Sequence, residues 1–211
     1  MTQYDEIVNM WRLWRVETVS DIDERLHNYE FLKHKIAARE PLTVSLVLET
    51  HGILTAGTYD ERRFVERGER PGAFKKHDYV TGRNEVGSLP ENVSGDIAAL
   101  LDEVQAYSGV EILKTAAYFH LRFEYIHPFA DGNGRVGRTL MNYFLMSRDH
   151  PPLIIHDEDK ATYYAALEAY DKKEEITPMH DFLRLQTERT WEKSLGRIAC
   201  LSCIKDMRQF Y

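Results

Sequence analysis

Apolar residues recur at helical spacing along most of the chain. In "YDEIVNMWRLWRVE", Ile7, Met10, Trp11 and Trp14 fall on one face, the pattern of an amphipathic helix. Ser20 followed by Asp23 and Glu24 reads as a helix start with an acidic first turn, and Leu26, Tyr29, Leu32 and Ile36 continue at the same spacing. Pro41 interrupts the pattern. "TVSLVLETHGIL" then opens another helix, with Thr43 as its cap. Val93, Ile97, Leu100, Leu101 and Val104 share the face of a further one. "EILKTAAYFHLRFEYI" is apolar on nearly all sides, which predicts the central helix of a bundle. "RVGRTLMNYFLMSRDH" ends before Pro151-Pro152, and "ATYYAALEAYDKK" and "TPMHDFLRLQTERTWEKSL" supply the last two helices.

The stretch from Gly57 to Pro90 differs. It is rich in Gly, Arg and Glu, with Pro71-Gly72 as a turn signal. "AFKKHDYVTG" and "EVGSLP" read as two short strands joined around Gly82-Arg83-Asn84, a β-hairpin. The expected fold class is therefore mainly α with one hairpin. No internal repeat or low-complexity tract interrupts it.

Composition narrows the picture. A chain of 211 residues holds one good core and is short for two domains. Its apolar fraction of 43% and charged fraction of 29% are those of a soluble protein. No segment approaches the ~20 apolar residues of a membrane span. The acidic start "MTQYDEIVNM" lacks the apolar core of a secretory signal. The two cysteines, Cys200 and Cys203, read as small residues on a C-terminal helix rather than a redox or zinc pair. Together these place the protein in the cytoplasm, away from membranes. The net charge of −7 argues against nucleic acid as a partner and leaves room for a local phosphate site.

The candidate chemistry is concentrated in "HPFADGNGRVGR", residues 127 to 138. Gly132, Asn133 and Gly134 stand at the start of a helix, where backbone N–H groups are unpaired and the helix dipole is positive. Glycines let an anion approach those groups. Arg135 and Arg138, three apart, share a face one turn in, and two guanidinium forks suit an oligophosphate better than a lone carboxylate. Asp131 at the rim is suited to hold Mg²⁺ beside phosphates. His127 is the one group in the stretch able to accept a proton near neutral pH. Singly, each residue has an ordinary account: a hydrogen-bonded histidine, a turn, a solvated helix face. Their coincidence within twelve residues favours a site. "GNGRVG" also matches the dinucleotide fingerprint, but no strand precedes it and no βαβ unit surrounds it.

"FEYIHPFADGNGRVGR" resembles the signature of the Fic family, H-P-F-x-[D/E]-G-N-G-R-x-x-R, with every defining position filled. "ETHGIL" and "RPGAF" resemble the family's approach to its flap, and "ATYYAALEAYDKK" its nucleotide-side helix. The resemblance implies a Fic-type helical bundle with a β-hairpin flap over the active site. It implies an N-terminal helical segment over 1–25, the Fic domain over 26–190 and a C-terminal tail helix over 191–211. The implied activity is transfer of AMP from Mg-ATP to a Ser, Thr or Tyr hydroxyl of a protein, releasing pyrophosphate. By the same resemblance, His127 is the general base, Phe129 holds the loop in the core, and Asp131 binds Mg²⁺. Gly132, Asn133 and Gly134 cradle phosphates, Arg135 neutralises their charge and Arg138 reaches the γ-phosphate. Tyr164, Glu168 and Asp171 fall at the adenosine pocket, although the family often has Asn at the last position. Gly134 separates the chain from a branch that carries Lys there and phosphorylates its target.

The flap implies a protein substrate bound along Lys75, Tyr79, Val80 and Thr81, paired to a strand edge over Phe74–Thr81. Lys75 and Lys76 have a second reading, as solvated charges protecting an edge strand. Many Fic proteins carry an inhibitory [S/T]-x-x-x-E-[G/N] helix whose Glu pairs with the second motif arginine. Thr2…Glu6, Ser20…Glu24 and Ser45…Glu49 match its first part and lack the final Gly or Asn; Glu6 is the candidate of best position. A separate inhibitory partner is the alternative. Trp11 and Trp14 serve either the core or a homodimer. Two other functions fit the stretch: removal of AMP from a modified protein, for which only Glu6 or Glu24 would supply the carboxylate, and a non-catalytic nucleotide- or anion-binding module.

Overall fold

A computed structural model of the chain describes residues 2–14, 31–79, 87–107 and 111–207, with side chains described for 2–12, 31–79, 87–107 and 111–192. Eight α-helices appear among these residues: α1 Gln3–Trp14, α2 Lys33–Ala37, α3 Val44–Leu54, α4 Val93–Ala106, α5 Ile112–Ile126, α6 Asn133–Ser147, α7 Lys160–Lys173 and α8 Thr177–Met207. A π-helical turn lies at Arg62–Glu66 and a 3₁₀ turn at Asp157–Asp159.

The all-round apolar helix is the hub, as its sequence predicts. α5 packs against α4, α6, α7 and α8. It buries Leu113, Ala116, Ala117, Phe119, Leu121, Phe123 and Ile126 on several sides. α6 pairs with α5 and is also covered by α2 and α3, so it is buried almost throughout from Thr139 to Ser147. Thr43 caps α3 as expected: its side chain accepts from the Leu46 N–H at 3.2 Å. α1 lies on α8, with Ile7 fully buried and Trp11 edge-on to Trp191 at 5.4 Å. Trp11 thus belongs to the core; the Trp14 side chain lies outside the described residues. So do Ser20, Asp23 and Glu24. Asn142 fixes the exit from α6 by exchanging two 2.9 Å bonds with the backbone of Leu153. α8 runs unbroken through residues 190 and 191, and Cys200 and Cys203 lie on it.

No β-strand occurs among the described residues. Phe74–Tyr79 and residues 87–89 are irregular where two strands were expected; Val80, Thr81 and the hairpin turn lie outside the described residues. The backbone donors of this segment have other uses. Lys75 N–H donates to Pro128 C=O at 2.9 Å. Lys76 N–H donates to the carboxylate of Glu69 at 3.0 and 3.2 Å. The same carboxylate, 1% exposed, accepts from Tyr79 Oη and pairs with His77 Nδ1. A buried carboxylate that gathers donors in this way curls the chain around itself, and a ladder cannot form on the same groups.

Candidate active site

Two helix ends frame the signature stretch. α5 stops at His127, whose φ of 51° and ψ of 62° are left-handed. A non-glycine residue there costs about 1–3 kcal/mol and persists only when its surroundings enforce it. Here they do. His127 N–H donates to Phe123 C=O, and the flanking carbonyls of Ile126 and Pro128 accept from Ser88 N–H and Lys75 N–H. Two outside segments thereby grip the loop on either side of the imidazole.

Inside the loop, Phe129 is fully buried and stacks on His51 with ring centroids 3.7 Å apart. Asn133 closes the turn: Phe129 N–H donates to its Oδ1 at 2.9 Å, and its Nδ2 donates to Phe129 C=O at 2.8 Å. The Asn133 side chain therefore faces inward and holds the loop; only its backbone N–H remains for a phosphate.

His51 had no role in the sequence reading. It is fully buried on α3. Its Nδ1 accepts from Gly72 N–H at 2.8 Å, which places the ring proton on Nε2, the donor to Asp131 C=O at 3.1 Å. Burial pushes its pKa down to about 4, so it is a neutral brace between the 68–79 segment and the loop. The signal was present: a polar residue on the apolar face of "TVSLVLETHGIL", one turn beyond Val47.

α6 begins at Gly132, with φ 83° and no side-chain cap. A Cβ there would lie 2.5 Å from Thr55 Cγ2, so glycine is required both by conformation and by space. At Gly134 a Cβ would stand 3.0 Å from an Arg138 nitrogen: the guanidinium folds back over the first turn. Arg135 bonds Leu54 C=O at 3.1 Å and reaches Asp131 Oδ2 at 3.4 Å. The result is a helix mouth with free N–H groups, two arginines over it and a carboxylate at its rim. Asp131 is 39% exposed at its side chain. One accessible carboxylate fits Mg²⁺, which is commonly held by one or two carboxylates together with substrate phosphates and water.

Arg138 is also faced by groups the sequence reading did not connect to it. Glu124 on α5 has a buried Oε1 without a hydrogen-bond partner among the described residues, and desolvation raises its pKa to about 7 against the pull of Arg138. Tyr163 on α7 bonds His120 Nε2 at 2.9 Å and interacts with Arg138. Tyr164, Glu168 and Asp171 follow at one-turn intervals on α7. Tyr164 is 61% exposed, and Glu168 pairs with Lys172 at 2.5 Å. Glu6 is exposed on α1, beside α8; among the described residues no ion pair brings it to Arg138. Thr2 caps the start of α1 through Asp5 instead. Lys75 is 2% exposed, which corrects its reading as a solvated edge charge.

His127 completes the site. Burial first, and then the Lys75 ammonium, lower its pKa to about 4, against the opposing pull of Asp131 and of the Glu124 backbone carbonyl. The ring is neutral at physiological pH and can accept a proton.

A helical bundle whose central pair is joined by this loop is the Fic fold. The family described as Fic/DOC matches residues 41–145, and the chain carries a Fic domain of that family. The protein adenylyltransferase Fic of Drosophila melanogaster is 30% identical over 167 residues, spanning 76% of this chain and 31% of its own length. That of Drosophila persimilis is also 30% identical, over 30% of its length. The chain thus spans about a third of the curated relatives it matches. A Fic domain containing signaling protein from Bacteroides thetaiotaomicron superposes with a TM-score of 0.63 at 23% identity, covering 89% of this chain and 67% of that one. Fic-1 of C. elegans gives 0.61 at 20% identity, covering 90% and 58%. These structures share the fold. No described helix is long and apolar enough to cross a membrane.

Proposed function

We propose that the chain is a protein adenylyltransferase that moves AMP from Mg-ATP to a Ser, Thr or Tyr hydroxyl of a protein substrate. The observation that carries this reading is a pairing across one short loop. A neutral imidazole, His127, stands at one end, and an uncapped glycine-lined helix mouth under two arginines stands at the other.

The chemistry follows from those groups. The target oxygen forms a bond to the α-phosphorus while its proton passes to His127 as general base. The bond from the α-phosphorus to the bridging oxygen breaks, and pyrophosphate leaves with its electron pair. The N–H groups of Gly134 and Arg135, with the Arg135 and Arg138 guanidiniums, meet the growing charge on the leaving group. Asp131 would hold Mg²⁺, which would supply further charge neutralisation on the phosphates. Asn133 and His51 keep the loop in register, and Tyr164, Glu168 and Asp171 on α7 take the nucleoside side. Tyr79, Val80 and Thr81 are proposed to guide the substrate.

Incubating the chain with cell lysate and ATP labelled at the α-phosphate tests this. Label is expected on protein with the wild type and reduced by about 10²–10⁴ with His127→Ala, the contribution typical of a positioned base. Equal labelling by both chains, or transfer only from ATP labelled at the γ-phosphate, overturns it.

A further inference from the structure

Lys75 is the side chain that the reaction above leaves unused. It is 2% exposed, and its Nζ has no hydrogen-bond partner among the described residues. A lysine is almost never buried without a partner, because desolvation penalises its charge. Burial pushes its pKa down here as well, with Asp78 and Glu69 favouring the charged form. The backbone explains why the side chain tolerates this place. Lys75 N–H is bonded to Pro128 C=O, the residue after His127, so the backbone that carries the side chain is tied to the signature loop.

Gly87 shows where the ammonium lies. It has a φ of 143°, and a Cβ on it would stand 3.4 Å from Lys75 Nζ and 3.9 Å from His127 Cβ. Both side chains thus approach the space that a side chain on Gly87 would fill. Among the described residues, the charged groups that act on the ring are Lys75 from the 68–79 segment and Asp131 from the loop, while α5 contributes the Glu124 backbone carbonyl. Lys75 is the one cation of that set.

We propose that Lys75 is the positioning residue of His127, its enclosed ammonium holding the neighbouring imidazole in the uncharged, proton-accepting form until the phosphates of a nucleotide arrive. Like charges held close in a poorly solvated space disfavour one another. A ring that stays unprotonated in the free protein is ready when a hydroxyl docks. The phosphates then offset the lysine, so that the ring can take up a proton during transfer. The buried stem of Lys75 also fills space, a role that a neutral side chain of similar length would keep.

The inference rests on the reading of His127 as the proton acceptor, and its test separates the two. The histidine rings of the full chain are titrated by NMR without nucleotide, the His127 signal being assigned by its loss in His127→Ala. In Lys75→Met the His127 midpoint rises by about one pH unit over wild type, the lower end of the effect of a neighbouring charge. In Lys75→Arg it stays near the wild-type value. The acid limb of label transfer moves in the same order. Lys75→Gln is run beside Lys75→Met, so that a chain that fails to fold leaves the other to decide. An unchanged His127 midpoint in the folded neutral variant, with transfer reduced by one factor at every pH, overturns the proposal and leaves Lys75 a packing residue. A shifted midpoint in a chain that transfers no label even as wild type upholds the lysine–histidine coupling and rejects the transfer reading.

Discussion

At the scale of single residues, the division of labour within the signature stretch is sharper than its composition suggests. Asn133 is the clearest case. Its side chain satisfies both backbone groups of Phe129 in a buried setting. Removing it leaves a donor and an acceptor without partners, each costing about 1–3 kcal/mol. Asn133→Ala is therefore expected to lower stability by about 2 kcal/mol, read as a drop in the urea midpoint at unchanged slope. An Asn133→Ala chain as stable as wild type, and impaired only in nucleotide binding, would mean that the side chain points to the phosphates after all. His127 and Gly132 show the same logic from the backbone. Each is left-handed, one enforced by bonds from neighbouring segments and the other permitted by the absence of a side chain. The shape of the loop is thus set by bonds and backbone conformations that leave the imidazole and the helix mouth free for chemistry.

At the scale of elements, the α5–α6 pair carries the site, and Gly137 sets how closely the two helices approach. A Cβ at Gly137 would stand 2.7 Å from Glu124 Oε1, 3.0 Å from Phe123 Cδ1 and 3.2 Å from His120 Nδ1. In an exposed helix, Gly→Ala gains about 1 kcal/mol. Here the overpacking costs about 1–3 kcal/mol and wins. Gly137→Ala should lower the melting temperature, whereas propensity alone predicts a rise. Much of this level was legible in the sequence, because helical periodicity is local. The spacing of Val93 to Val104 gave α4, the apolar run gave α5 its central place, and Thr43 announced the start of α3. The signature loop was legible because its residues are contiguous. The groups that brace it were not. His51 acts across a long sequence separation, Glu124 faces Arg138 from another helix, and the buried carboxylate in "RGERPG" reads like any surface charge until donors seven to ten residues on converge on it. Among the described residues the expected strands are absent, and periodicity does not show that the N–H groups of Lys75 and Lys76 are bound by Pro128 and Glu69.

At the scale of the whole molecule, buried ionisable groups on separate elements set how stability responds to pH. Desolvation is the leading cause that holds His51, His127 and His150 down at about 4, and His120 at about 3, all from an ordinary value of 6.5. They lie on α3, on the signature loop, after α6 and on α5. The unfolded chain takes up protons on these rings near pH 6.5, while the folded chain does not until near 4. Between those limits the unfolded state binds more protons, so stability falls as pH falls. Each ring adds a slope of up to about 1.4 kcal/mol per pH unit within that window. Glu124 acts in the opposite sense. Its folded pKa of about 7 exceeds the ordinary 4.5, so its contribution is lost as pH rises from 4.5 to 7. Asp171, whose carboxyl burial also raises, acts in the same sense as Glu124, and four rings outweigh these two carboxyls. Urea unfolding followed from pH 4.5 to 8 should show stability rising steeply to about pH 6.5 and then levelling. His150→Gln should flatten part of that slope, because its ring sits between Tyr4 Oη at 2.7 Å and Pro151 C=O at 2.8 Å, far along the chain from the loop. A stability maximum near pH 5 would mean that these rings are charged in the folded protein. The neutral His127 on which the transfer chemistry depends would then be lost with them.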